Sequence, residues 1–368
     1  MHSKKILLIS LRGDIGGGPK HLDSIYQNLK AEFNFYVASP KEQPFGIKWA
    51  NELNDRFFKL PHRKFSILFF FRLVSFIREN KIDIIHAHGK GAGIYARLIK
   101  IFIPKIKVIY TWHGLHIDKY NSLEKFLYIM IEKFLSMFTD LFINVSESER
   151  NICAKNNIYK IEKSIVINNG IKDNFNSADK NSLRKSLNLP LDKFLIINIS
   201  RFDKKNNLKA FINIVSLFIS DSNFLFLLCG DGEEKENILN KIEEKKLNNI
   251  ILTGIINNPV EYLSASDLYL STSIYEGLPY SLIEASMCGL PIIASDVVGN
   301  NDIVLNNVNG FLYELNDLNN VVKLILKIKE DKALYNELSL NSRRIFLDKF
   351  KEEKMINELK KIYQEITK

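Results

Sequence analysis

The stretch Glu276-Gly277-Leu278-Pro279-Tyr280-Ser281-Leu282-Ile283-Glu284-Ala285-Ser286-Met287-Cys288-Gly289-Leu290-Pro291-Ile292-Ile293-Ala294-Ser295 decides the fold class. Pro279 suits the first turn of a helix, and Cys288-Gly289-Leu290-Pro291 supplies a glycine stop followed by proline. The apolar run at 291–294 then reads as a buried strand. A helix feeding directly into a short apolar strand is one repeat of an α/β protein.

Working outward, the same alternation covers most of the chain. In the first half, strands are expected at 5–10, 33–38, 83–86, 107–111, 140–145 and 164–167, with helices between them, for example 20–31, 91–101 and 123–138. The polar stretch Asn168-Asn169-Gly170-Ile171-Lys172-Asp173-Asn174 breaks the pattern, and its turn residues mark an interdomain linker. Strands resume at 194–199, 223–228, 250–252, 267–270 and 291–294. From 316 onward the chain is helical and charged, ending in an amphipathic tail at 351–367. The expectation is an α/β chain of two doubly wound domains with a cleft between them, whose ligands lie beyond the carboxyl ends of the strands.

Composition agrees. The 368 residues suit two domains at about 150 residues each. With 46% hydrophobic and 25% charged residues, the chain is neither disordered nor fibrous. Fifty-one basic side chains against 42 acidic ones give a net charge of +9, which favours anionic partners. That charge is spread rather than clustered in a recognised module, so nucleic acid is not among the expected partners. No apolar run approaches the roughly 18 residues of a membrane span, since the run at 65–71 stops at Arg72. Lys4 and Lys5 precede an apolar segment, but Arg12 and Asp14 follow it, so the N-terminus reads as a first strand rather than a leader. Cys153, Cys229 and Cys288 lack disulfide or metal spacing and read as buried free thiols of a reducing cytoplasm.

The loops that leave strands carry the candidate chemistry. Arg12-Gly13-Asp14-Ile15-Gly16-Gly17-Gly18-Pro19-Lys20-His21 brings three glycines to a helix start, where backbone N–H groups can approach a phosphate; a flexible turn is the alternative. His86, His88 and His113 fall at strand ends, but no cysteine or carboxylate accompanies them at ligand spacing, so no metal site is expected. Arg201, with Lys204 and Lys205, can neutralise a diphosphate or begin a solvated helix. Glu276 and Glu284 suit the vicinal hydroxyls of a sugar or ribose, and the N–H groups at 277–280 suit an anion. A carboxylate buried among Leu282, Ile283, Ala285 and Met287 is costly without such partners.

Together these residues resemble the retaining family-four glycosyltransferases. The resemblance rests on the glycine loop ending at His21, His113-Gly114, Asn169-Gly170, Arg201 with its lysines, Gly230-Asp231-Gly232, and the segment from Glu276 through Ser295. It implies the GT-B fold: two Rossmann-like domains facing a central cleft, with a C-terminal helix crossing back to the N-terminal domain. The implied boundaries are 1–170 for the acceptor domain, 171–345 for the nucleotide-sugar domain and 346–368 for the returning helix. By resemblance, Glu284 binds the ribose hydroxyls and Glu276 the donor sugar. Arg201 and Lys205 stabilise the departing diphosphate, Gly277 and Leu278 contact the donor, Gly16, Gly17 and Gly18 close over the phosphates, and His113 lies near the transferred sugar.

The family's usual lysine falls at Asn206, and Lys205 is expected to replace it. The implied activity is transfer of a sugar, with retention and without metal or further cofactor, from a nucleotide diphosphate sugar (UDP favoured over GDP) to a glycan or lipid-linked oligosaccharide in O-antigen, capsule or related surface polysaccharide synthesis. A catalytically degenerate membrane scaffold and a nucleotide-sugar epimerase are the alternatives. The aromatic, basic segment 61–81 and the apolar segment 120–138 suit either an anionic membrane interface, on the inner face of the plasma membrane, or helices facing a core.

Overall fold

The structure is a computed structural model describing residues 4–115, 117, 120–175 and 179–366. Its strands are β1 (Lys5–Ser10), β2 (Asn34–Ser39), β3 (Phe57–Lys59), β4 (Ile84–His88), β5 (Lys107–Thr111), β6 (Leu141–Asn144), β7 (Ser164–Val166), β8 (Phe194–Ile199), β9 (Phe224–Cys229), β10 (Ile250–Gly254), β11 (Leu268–Ser271), β12 (Ile292–Ser295) and β13 (Gly310–Tyr313). They form a seven-stranded sheet in the order β3-β2-β1-β4-β5-β6-β7 and a six-stranded sheet in the order β10-β9-β8-β11-β12-β13. All pairings are parallel, and the chain divides into one unit of Met1–Asn169 with Glu352–Lys368 and another of Gly170–Lys351.

In the first unit β1 is central, with Leu7 opposite Tyr36 on one side and Ile85 on the other. Strands covered on both faces must be apolar throughout, and Ile6 to Ile9 are fully buried. One face packs on helices Ile67–Asn80 and Lys90–Phe102 through Phe70, Leu73, Ile77, Tyr95 and Ile99. The other face is closed by helix Gly17–Leu29 and by the C-terminal helix Glu352–Glu365, whose Met355, Ile356, Leu359 and Tyr363 join the cluster of Ile6, Leu8, Phe35 and Ile84. Sheet order reverses between β1 and β4, so their carboxyl ends diverge and open a binding crevice there.

The second unit repeats the design around β8, with Ile196 opposite Phe226 and Leu268. Its order reverses between β8 and β11. The short edge strand β13 depends on Gly310: a Cβ there would lie 1.9 Å from the Ile292 carbonyl oxygen. After the polar stretch, Ile171 N–H donates to Phe350 O at 3.0 Å and Asp173 accepts from Arg343 at 2.8 Å, fastening both ends of the unit together. Helix Lys332–Lys349 lies whole within this unit, which ends at Lys351 rather than at 345, because a helix is one cooperative hydrogen-bonded element.

Three local expectations shift. Pro279 caps helix Tyr280–Met287 rather than entering its first turn. Cys153 and Cys229 are buried free thiols, whereas Cys288 is half-buried. Segment 61–81 contains a two-sided helix, with Phe70, Leu73, Val74 and Ile77 in the core and Ile67, Leu68 and Phe71 exposed.

Candidate active site

At the carboxyl end of β8, the Tyr269 hydroxyl donates to Ile199 O at 3.0 Å and accepts from Ile199 N–H at 3.3 Å, fixing the point where the chain leaves the sheet. Arg201 follows. Its Nε and Nη2 both lie 2.8 Å from Asp203 Oδ2, and about half of the side chain (48%) is exposed, so the rest of the guanidinium fork faces solvent. Residues Lys204–Asn206 make one short turn capped by Asp203.

Within that turn Asn206 and Lys205 divide the work. Asn206 is buried; its Nδ2 donates to Arg201 O at 2.7 Å and Asp203 Oδ1 at 3.0 Å, and its Oδ1 accepts from Ser273 Oγ at 3.1 Å. Its backbone oxygen accepts from Thr272 Oγ1 at 2.9 Å. It therefore stitches the loop after β8 to the loop after β11, a task an ammonium could not complete because it has no acceptor. Lys205 carries the charge outward, and its Nζ lies 2.5 Å from Oε2 of Glu276.

Glu276 is buried and Gly277 and Leu278 follow it, with the Leu278 side chain in the core. Their path is shaped by Gly299, a residue the sequence reading did not single out. Gly299 has φ of 83°, and a Cβ there would lie 2.4 Å from Gly277 O and 3.2 Å from the Glu276 Cβ. Helix Tyr280–Met287 carries no side-chain cap at its start, which leaves its positive end receptive to an anion. Glu284 on this helix is half-buried, not buried as its apolar neighbours suggested: the helix is sided, and Leu282, Ile283 and Ala285 turn to the core without it. Burial, and then the charges of Glu284 and Glu276, push the Tyr269 hydroxyl up, so both carboxylates lie within electrostatic reach of that ring.

In the first unit, Arg12 donates to Asp14 and to Ile15 O ahead of Gly16, and Gly17 and Gly18 open an uncapped helix with no acidic residue in its first turn. A Cβ on Gly18 would lie 3.9 Å from His113 Cδ2, so the glycine loop runs beside that imidazole. His113 adopts φ of 58°, a left-handed conformation that costs a non-glycine residue about 1–2 kcal/mol. Glu149, fully buried, supports the turn: Oε1 accepts from Gly114 N–H at 2.6 Å and Oε2 from Val145 N–H at 3.0 Å.

Four imidazoles meet here. His88 Nδ1 and His113 Nε2 share a hydrogen bond at 3.1 Å, and the His21 ring centroid lies 4.8 Å from that of His113. His86 lies between Tyr363 Oη at 2.6 Å and Thr111 Oγ1 at 2.7 Å. Burial pushes all four pKa values down, His21 to about 4, so the cluster is neutral at neutral pH. The ligand atoms of His21, His88 and His113 lie within 4.8 Å of one another, a set that could hold a metal ion. The shared hydrogen bond already occupies one nitrogen of His88 and one of His113, so the group reads as a bonded network. Sequence spacing pointed to His113 but missed His21 as its neighbour, along with Glu149 and Tyr363.

Two parallel sheets with these strand orders are Rossmann-like, and the comparisons supply the class. The model described as Glycosyltransferase Family 4 matches residues 15–175, and Glycosyl transferases group 1 matches 179–345. The chain is 30% identical over 303 residues to the UDP-Gal:alpha-D-GlcNAc-diphosphoundecaprenol alpha-1,3-galactosyltransferase of Escherichia coli, covering 79% of this chain and 77% of that protein. It is 26% identical to the O-antigen biosynthesis glycosyltransferase WbnH of Escherichia coli, over 94% of this chain and 96% of that one. Anabaena HepE in complex with UDP superposes with a TM-score of 0.83 at 20% identity, covering 98% of this chain and 99% of that one. The chain belongs to the group 1, family-four glycosyltransferases, and it is a glycosyltransferase of GT-B fold.

Proposed function

We propose that the protein transfers a hexose, with retention of anomeric configuration, from a UDP-sugar to a lipid-linked glycan during bacterial surface polysaccharide synthesis. Arg201 and Lys205 neutralise the diphosphate as its bond to the sugar C1 lengthens, where preorganised cations act most strongly. Glu284 accepts from the ribose hydroxyls, and the first turn of helix Tyr280–Met287, with Gly277 and Leu278, receives the phosphates. Lys205 takes Oε2 of Glu276, while Oε1 accepts no hydrogen bond among the described residues and suits a hydroxyl of the donor sugar. His113 offers a neutral imidazole to the transferred sugar, and Gly16, Gly17 and Gly18 serve the phosphates. The acceptor oxygen attacks C1 on the face from which the diphosphate departs, and the acceptor proton passes to the departing phosphate oxygen. No metal takes part.

The observation that supports this most is the Lys205–Glu276 pair, which joins a phosphate-facing cation to a sugar-facing carboxylate across the loops after β8 and β11. The relatives support the donor and acceptor classes by name: one uses UDP-Gal and a diphosphoundecaprenol-linked acceptor. No helix among the described residues is long and apolar enough to cross a membrane. We place the enzyme in the cytoplasm, against the inner face of the plasma membrane. Incubation with UDP-sugars and an N-acetylglucosaminyl diphospholipid, in the presence of EDTA, tests the reading by nuclear magnetic resonance of the product. An α-linked product from an α-configured donor is expected; a β-linked product, or a requirement for a divalent ion, contradicts it.

A further inference from the structure

The imidazole cluster holds more nitrogens than its own bonds use. Both ring nitrogens of His21 and Nε2 of His88 are buried and meet no partner at hydrogen-bonding geometry. The bond between His88 Nδ1 and His113 Nε2 takes one nitrogen of each ring and is the only side-chain bond of His113 among the described residues. His86 is different, since Tyr363 Oη and Thr111 Oγ1 occupy both of its nitrogens. Buried polar atoms are nearly always satisfied, so three orphaned nitrogens at one spot call for a ligand.

The three rings with nitrogens to spare are also the three that converge. They hang from β1, β4 and β5, adjacent strands of one sheet, and one ligand atom from each lies within 4.8 Å of the others. An ion bound at about 2.0–2.1 Å from each nitrogen in tetrahedral geometry needs them about 3.3 Å apart, within reach of small side-chain rotations. The group contains no carboxylate or thiolate, and its imidazoles are neutral. Neutral nitrogen suits zinc and its neighbours, whereas magnesium and calcium require oxygen. His113 is only half-buried, which leaves a way in and a fourth position for solvent. Asn169 acts on the His21 ring from beside it and suits the N–H of whichever nitrogen does not ligate. Glu149, fully buried on the Gly114 N–H, sets a negative charge one residue beyond His113.

We propose that His21, His88 and His113 take a zinc-type divalent ion, which blocks sugar transfer instead of assisting it. The site itself stands apart from the proposed function. Its inhibitory effect rests on that reading, because the ion ties up the imidazole assigned to the transferred sugar.

Equilibrium dialysis of the whole protein, stripped with EDTA and desalted, tests the proposal with zinc and, in parallel, magnesium. Wild type is expected to retain about one zinc per chain and no magnesium. His21→Asn and His88→Gln should each weaken zinc binding by about 100-fold, at least as much as loss of a supporting hydrogen bond costs. His62→Gln, which alters a partly exposed histidine paired with Glu42, should bind as wild type does. X-ray absorption of the zinc-loaded wild type decides the matter even if the cluster variants fold poorly, and three imidazole nitrogens at about 2.0–2.1 Å are expected. Zinc should also suppress transfer, and EDTA should restore it. Zinc held by three imidazoles without inhibition supports the site and counts against His113 as the sugar's neighbour, so the two readings fail separately. No zinc retained by wild type, undiminished binding in the His21 variant, or a coordination shell made mostly of oxygen overturns the proposal.

Discussion

Lys205 meets Glu276 across 71 residues of sequence, Nζ to Oε2 at 2.5 Å, with the lysine about a quarter exposed and the carboxylate nearly buried. A charge so placed is held by its partner, and each sets the other's position. Asn206 next to it makes this possible by locking the turn from which Lys205 projects.

Lys205→Ala should therefore lower kcat by about 100-fold or more through loss of a cation near the leaving group. Partial exposure limits the stability loss to about 1–2 kcal/mol. Glu276→Ala should show a similar loss, and the double variant should be far less than additive, with a coupling of about 1–3 kcal/mol in a double-mutant cycle. Additive losses would mean that the two side chains act separately.

Asn206→Lys, which restores the lysine usual in the family, should impair rather than improve the enzyme. It removes the amide that bridges Arg201 O, Asp203 and Ser273 in a nearly buried position, at a cost of about 1–3 kcal/mol. Urea unfolding and kcat/KM with the UDP-sugar check this; a gain in both would show that the stitch is dispensable.

The imidazole cluster sets an acid limit. The folded pKa values of His21, His86, His88 and His113 lie below the unfolded value near 6.5, so between the two the unfolded chain binds more protons. Stability is full above about pH 6.5 and falls as the pH drops, with His21 alone contributing a loss of about 3 kcal/mol by the time its folded value of about 4 is passed. Urea midpoints compared at about pH 7 and pH 5 should fall in wild type and fall less in His21→Asn. A flat profile in wild type would contradict the buried, neutral cluster.

Helix Glu352–Glu365 contributes one face to the first unit's core. Burying Met355, Ile356, Leu359 and Tyr363 at about 1.5–3 kcal/mol each is a large share of a domain's ~5–15 kcal/mol. A chain ending at Lys351 should lose hydrogen-exchange protection in β1 and β4 while β8 and β11 keep theirs. Tyr363→Phe, which deprives His86 Nδ1 of its hydroxyl partner, should cost about 1 kcal/mol.

Arg97→Ala should cost about 3–5 kcal/mol, because Glu132 would be left charged in a dry interior. Arg97→Met with Glu132→Leu should recover most of it. Thermal unfolding of the three variants decides between a pair required for stability and one required only by its own burial.

Much of this was legible in the chain itself. The alternation of apolar and amphipathic runs marked the parallel sheets, and the segment from Glu276 to Ser295 marked helix Tyr280–Met287 and the strand that follows it. Strands β3 and β13 escaped because both are short edge strands, β3 without a fully buried residue and β13 opening on a glycine. His21 and Glu149 escaped because their relation to His113 exists only once the helices after β1 and β6 meet the turn after β5. Periodicity also marked 123–138 as amphipathic, but a period does not say which face is buried. Here Tyr128 and Ile129 pack on the core, and Arg97 on another helix receives Glu132 on the same side.

The most direct test is the melting temperature of the protein with UDP, GDP, ADP and NAD in turn, for wild type and Glu284→Ala. A ligand at about 100 times its dissociation constant adds about 2.7 kcal/mol, a shift of several degrees. A clear rise in wild type with UDP, largely lost in Glu284→Ala, is the predicted result. No rise with UDP, or the same rise in both proteins, would contradict the donor site described for the second unit.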